Sequence, residues 1–237
     1  MTNPLLAESG LPRFSEIRPE HVQPAVDQVL ADNRAAIDAI TRDGGPYTWH
    51  NLVAPLERLE DRLEQIWAPV SHLNAVMNSE ALREAYNACL PALSAYHTEM
   101  GQNTALYSAF RALRDSDEYA HLDQDQRQSV DNALRDFELA GVALEDSAKQ
   151  RYAAIGARLA GLSSRFQEHL MDATDAWYRD TDDADELAGL PDRALGVMKQ
   201  NAEQAGVEGW RISLDMPVVQ AVLAHAHDRG LRREVYE

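Results

Sequence analysis

Cysteine is all but absent: Cys89 is the single thiol in 237 residues, so neither an intrachain disulfide framework nor a multi-cysteine zinc or iron–sulfur site can be built. Basic residues are scarce too, 22 against 39 acidic, for a formal net charge of −17. A surface of that sign repels phosphate backbones and anionic headgroups, which argues against nucleic acid and membrane as partners. No apolar run approaches the ~18 residues of a membrane span, and Met1 to Glu16 lacks the basic segment and apolar stretch of a secretory leader. A cytoplasmic protein is expected. Walker and dinucleotide-binding glycine patterns are missing, and Gly161-Leu162-Ser163-Ser164-Arg165 lacks the second glycine of a nucleophile elbow. Apolar residues are not lacking: at 45% of the chain they can form a sizeable core, in one large domain or two small ones.

Those apolar residues recur at threes and fours, the signature of helices. A first long helix follows Pro19 and Glu20 on the stripe Val22, Val26, Val29, Leu30, Ile37 and Ile40, and stops at Asp43-Gly44-Gly45-Pro46. Thr48 caps a second, carrying Leu52, Leu56, Leu59, Leu63 and Ile66, with Pro55 harmless in its first turns and Pro69 at its end. A third opens at Ser79 and reaches Gly101 through Leu82, Tyr86, Cys89, Leu90, Leu93 and Met100, with Pro91 expected to kink or divide it. Cys89 falls in that stripe and reads as a small core residue. Shorter helices are expected at 106–113 and 123–139, the latter with Val130, Leu134 and Phe137 inward. The longest pattern runs from about Glu145 to Asp175 with Tyr152, Ile155, Leu159, Leu162, Phe166 and Leu170 on one stripe. At ~1.5 Å per residue it spans roughly 45 Å, so an elongated body is expected.

Beyond it, 177–181 and 210–214 are short, aromatic or β-branched, and read as a two-stranded pairing around a helix at 191–205. Helical pieces at 217–228 and from Leu231 onward complete the pattern, and the last stops without cap or polar tail, as a severed chain would. The expected fold is mainly α: an elongated multi-helix bundle with a minor β-pairing, divided into a long-helix bundle at 1–176 and a small mixed segment at 177–237.

A search for chemistry finds no catalytic residue and no metal ligand set. His21, His50, His72, His97, His121 and His169 are isolated, and none begins an H-E-x-x-H run, which would set two imidazoles and a carboxylate base on one helical face. His225 and His227 are the only close pair; on a helix, residues two apart point about 200° from one another and cannot share a metal. They read as surface histidines near a helix C-terminus. The acidic loop Asp180 to Glu186 has Ala184 and Asp185 where a calcium loop needs an oxygen ligand and a glycine, so it reads as a solvated loop. Carboxylate pairs such as Glu57 and Asp61 read as exposed helix-face electrostatics. Ser71, His72 and Asn74 could meet a peptide backbone, but after Pro69 they read first as turn-forming residues.

Two stretches carry a family likeness. Pro69-Val70-Ser71-His72-Leu73-Asn74-Ala75-Val76-Met77-Asn78-Ser79, with Leu82-Arg83-Glu84-Ala85-Tyr86 after it, and Val130-Asp131-Asn132-Ala133-Leu134-Arg135-Asp136-Phe137-Glu138-Leu139-Ala140-Gly141 closely resemble the oligopeptidase A family of Gram-negative bacteria, among the thimet-oligopeptidase-like zinc metallopeptidases. Further agreement lies in Pro46-Tyr47-Thr48-Trp49, Leu170-Met171-Asp172-Ala173-Thr174 and Glu186-Leu187-Ala188-Gly189-Leu190-Pro191, and extends from Met1 to Tyr236. The resemblance implies the N-terminal third or so of a cytoplasmic zinc endopeptidase for short peptides, truncated before the family's H-E-x-x-H helix and its later glutamate ligand. Zinc would belong to the full-length enzyme and none to this chain. The implied partners are short peptides and the missing C-terminal catalytic domain, with this part supplying one wall of the substrate channel, though no channel-lining residue is assigned. The alternative is a self-contained helical interaction or scaffold module without catalytic activity. An adaptor would end in a capped or polar terminus, whereas a severed part leaves an apolar face once covered by its missing partner.

Overall fold

The computed structural model describes residues 3–7, 10–42 and 44–237, so the parts of the leader and breaker expectations resting on Met1, Thr2, Glu8, Ser9 and Asp43 lie outside the described residues. The fold is mainly α with one small sheet, as the periodicity predicts. Ten α-helices are present among the described residues: α1 (Pro19–Arg42), α2 (Ala54–Val76), α3 (Glu80–Gly101), α4 (Thr104–Arg114), α5 (Asp117–His121), α6 (Gln124–Leu139), α7 (Asp146–Ala176), α8 (Asp192–Ala205), α9 (Met216–His225) and α10 (Arg229–Tyr236). Two strands, β1 (Tyr178–Thr181) and β2 (Trp210–Ser213), pair antiparallel with Arg179 opposite Ile212 and Asp180 opposite Arg211. The helices and strands fall into two compact units, Met1–Leu162 and Ser163–Glu237, with the division inside α7.

In the first unit, α1 packs on α2 and α3. Val22, Val26 and Val29 of α1 meet Ile66 and Val70 of α2 and Cys89, Leu93 and Tyr96 of α3 in one core. Within it the buried amide of Asn33 donates to the Leu59 carbonyl at 3.1 Å and to the Tyr96 hydroxyl at 3.3 Å. A second core gathers Leu52 and Val53 with Phe110 and Leu113 of α4, Leu122 just after α5, and Val130 of α6. Leu134 and Phe137 of α6 are partly buried against it, which is the inward face expected from their spacing.

The caps follow residue type. Thr48 accepts from the Asn51 backbone N–H while the Asn51 side chain accepts from Thr48 N–H, a reciprocal box that starts one wide turn (Trp49–Val53) before α2. Ser79 caps α3 and Asp123 caps α6 in the same way, the latter reciprocated by Gln126. Two proline expectations need correcting. Pro69 does not end the second helix: α2 continues to Val76, so Ser71, His72 and Asn74 lie in its last turns and do not form a turn after it. Pro91 does not divide the third, which is continuous from Glu80 to Gly101. Pro69 is buried in α2, whereas Pro91 lies on the exposed side of α3 between the buried Cys89 and Leu93; in each helix the packing of the flanking residues outweighs the loss of one N–H. The short α5 was not anticipated, since five residues carry too little periodicity to read.

α7 inverts the usual arrangement. It is 31 residues long and none is buried. The side nearest α3 carries small residues: a Cβ on Gly156 would lie 3.9 Å from both Ser94 Oγ and Thr98 Oγ1. Ile155, Leu159, Leu162, Phe166 and Leu170 are instead 49 to 66% exposed.

In the second unit, α8 packs on β2 and α9, and α9 on α10. Met198, Ile212, Val218, Val222, Leu231 and Val235 close its core. The start of β2 requires a glycine. Gly209 has φ +87°, and a Cβ there would lie 2.2 Å from the Thr181 carbonyl oxygen at the end of β1.

Candidate functional site

The eight histidines are distributed rather than convergent. His21 sits in the first turns of α1, where its Nδ1 accepts from the Arg18 backbone N–H at 3.1 Å and its carbonyl accepts from Asn3 at 2.8 Å. That makes it a local anchor of the N-terminal segment. His50 lies in the wide turn before α2, His121 ends α5, and His169 lies on α7, all exposed. His97 is exposed on α3 with its ring 5.9 Å from that of Tyr96. His72 lies on the outer side of α2, 5.6 Å from the Phe14 ring, at an open cleft of about 510 Å³ that Asp61 and Glu64 of the same helix also line. One imidazole beside two helix-surface carboxylates can donate or accept a hydrogen bond, but it lacks the geometry of a metal centre. Among the described residues no group of three His, Cys, Asp or Glu side chains is placed to hold a metal ion.

The His225 and His227 pair corrects the helical reading in one respect. His225 ends α9, but Ala226 is its C-cap and His227 lies beyond, so the two do not share a helix face. The His227 N–H donates to the Ala188 carbonyl at 2.8 Å. Gly189, at φ +92°, lies so near that a Cβ would meet the His225 carbonyl at 2.3 Å. This contact closes a loop of the second unit and gathers no ligand.

The acidic loop is tied to arginines. Asp180 accepts both a 2.7 Å and a 2.8 Å bond from Arg211 directly across the β-pairing, and that bond holds its carboxyl below the ordinary carboxylate range. Arg211 in turn lies 3.9 Å over the Tyr178 ring. Glu186 accepts from Arg179 and Thr181, both at 2.9 Å, and Arg179 also reaches Glu234 on α10. Burial works against the Arg179 charge, but the two carboxylates around it raise its pKa above the ordinary guanidinium value. Their charge therefore staples β1, the following loop and α10. The cross-strand register was not readable in advance, because Asp180 and Arg211 are 31 residues apart.

Cys89 is placed in the first core at 1% exposure, and burial, with Asp27 nearby, pushes its thiol up to about 11. The protonated thiol is a poor nucleophile at neutral pH. A maleimide or iodoacetamide is expected to leave Cys89 unmodified over hours in the folded protein and to react fully once denaturant is added, as followed by intact mass. Rapid stoichiometric labelling without denaturant would contradict the core placement.

What the geometry defines is thus a helical domain with extensive apolar packing and no assembled catalytic or metal centre among the described residues. Residues 26–149 fit the family model for the N-terminal domain of neurolysin and thimet oligopeptidase, and the chain belongs to that family. Over 236 residues it is 48% identical to oligopeptidase A of Salmonella typhimurium, covering 100% of this chain and 35% of that protein. It is 47% identical to oligopeptidase A of Escherichia coli, again 35% of that protein, and 45% identical to oligopeptidase A of Haemophilus influenzae, 34% of its length. The chain thus spans about a third of the length of these relatives, and its full-length relatives are peptidases by name.

Proposed function

We propose that this chain is the N-terminal part of a cytoplasmic zinc metallopeptidase that hydrolyses short peptides, and that it contributes packing surface and a wall of the substrate channel. The observation that carries the reading is whole-length similarity to oligopeptidases of which the chain spans only 35%. The residues present do not fit zinc: the eight histidines sit on separate elements or diverge, and the one thiol is buried in a helical core. The metal and the carboxylate base would come from the remainder, so no hydrolytic step is assigned to this chain's residues. Its role is exclusion and support. A helical wall beside a reaction centre admits extended short peptides and refuses folded domains by size.

The test is to exchange this chain for the matched third of the Salmonella relative and assay a quenched short peptide. The chimera is expected to cleave it in a chelator-sensitive way. The 237-residue chain alone is expected to be inactive and, after exhaustive dialysis, to hold far less than one zinc per chain by elemental analysis. Chelator-sensitive cleavage by the isolated chain, free of contaminating peptidase, would overturn the reading. So would a folded, zinc-loaded chimera without activity.

A further inference from the structure

The feature without an explanation inside the fold is the outer face of α7. At ~100° per residue, Tyr152, Ile155, Leu159, Leu162, Phe166 and Leu170 fall within an arc of about 80°. At ~1.5 Å per residue the row extends roughly 27 Å. Single exposed apolar residues are ordinary on a protein surface, whereas a continuous row of this length marks a contact face. Its exposure is not an accident of a poorly packed domain. Elsewhere in the chain α4, at 11 residues, buries Leu106, Ala109, Phe110 and Leu113, while α7, at 31, buries nothing.

A second pattern borders the row. Arg151, Arg158 and Arg165 recur every seven residues, all exposed. Seven residues drift only ~20° around a helix. The three guanidiniums therefore form a basic line about 20° to 60° from the stripe's edge, on a chain whose net charge is −17. The surface that fits is apolar with an acidic rim.

We propose that this face of α7 is the seat of the portion of protein that the relatives carry beyond the matched third. The inference rests on the proposed function in one respect, that such a portion follows. Two observations favour this occupant. The relatives continue for about two thirds of their length past what this chain matches, which supplies a partner always present at high effective concentration. A second copy of this chain is disfavoured, since it would bring two bodies of formal charge −17 together. The arginine line gives the contact register: apolar burial provides its strength, and carboxylates opposite Arg151, Arg158 and Arg165 fix how far along α7 the partner sits.

The experiment places a single cysteine at Leu159→Cys, at Phe166→Cys and, as control, at Asp32→Cys on the exposed side of α1. Maleimide labelling is then followed by peptide-resolved mass spectrometry, in the 237-residue chain and in the Salmonella chimera. Both α7 sites are exposed, so neither substitution removes a core contact. Labelling at 159 and 166 is expected to slow at least tenfold in the chimera relative to the chain alone, with the control unchanged. If the chimera is insoluble, the same protection is read with the relative's remaining part added as a separate chain. Equal labelling in both forms of a peptide-cleaving chimera would sink the docking face and leave the proposed function standing. Protection in an inactive chimera would do the reverse. Protection in the isolated chain that fades on dilution would assign the face to self-association and overturn the proposal.

Discussion

Ile66→Ala will loosen the first unit by about 2 to 5 kcal/mol, the cost of deleting a fully buried branched side chain and leaving a cavity behind. Ile66 is 0% exposed and packs from α2 into the core shared with α1 and α3. It sits one turn from Leu63 and Val70, so the void would open in the middle of the three-helix contact where neighbouring backbones are least able to close it. The appropriate readout is hydrogen exchange resolved by peptide, because two units need not unfold in one transition. Amides of α1, α2 and α3 should exchange faster by the factor that 2 to 5 kcal/mol implies, roughly 30-fold or more, while those of α8 and α9 keep their rates. Unchanged exchange in α1 and α3 would mean that Ile66 is not central to that core.

Gly209→Ala will have its largest effect on the second unit. The positive φ by itself costs an L-residue about 1 to 3 kcal/mol. The greater problem is steric: a Cβ would lie 2.2 Å from the Thr181 carbonyl oxygen and 2.9 Å from the Asp182 Cα, and both are backbone, with no rotamer to swing aside. β2 must withdraw from β1, which pulls Arg211 from Asp180 and uncovers Ile212. The expected signs are fast exchange of the β1 and β2 amides and a lower melting midpoint, with α1 to α3 unaffected. Gly206→Ala is the control, since its φ is +71° but nothing lies within 4 Å of the added Cβ. If both variants lose the same stability, backbone conformation alone explains the effect and the close strand approach does not.

Much of this architecture was legible because helices announce themselves locally. Val22, Val26 and Val29 or Val130, Leu134 and Phe137 identify an inward face from spacing alone, and Thr48, Ser79 and Asp123 mark starts by residue type. The proline rule misled at Pro69 and Pro91, because it weighs the lost N–H and not the packing on either side that holds the helix together. For α7 the periodicity identified a stripe but not which way it faces. Spacing reports that apolar residues align, and only the neighbours reveal that Gly156 is turned to α3 and Leu159 is not. The ion pairs of the second unit were illegible for a different reason. Asp180 reads as one acid among several until the antiparallel register puts Arg211 opposite. The absence of H-E-x-x-H, by contrast, is a property of the string itself and needed no fold to read.

The buried amide of Asn33 has a consequence for motion. Its two partners belong to different helices, the Leu59 carbonyl on α2 and the Tyr96 hydroxyl on α3. Sliding α1 along either neighbour by one turn, ~5.4 Å, would strand that amide among valines and isoleucines, at a cost of ~1 to 3 kcal/mol. An all-apolar seam would tolerate such a slip, since one methyl group serves nearly as well as the next. Asn33 therefore works as a detent: it adds that penalty to any slide of α1 along α2 or α3 and so favours a single register for the three helices.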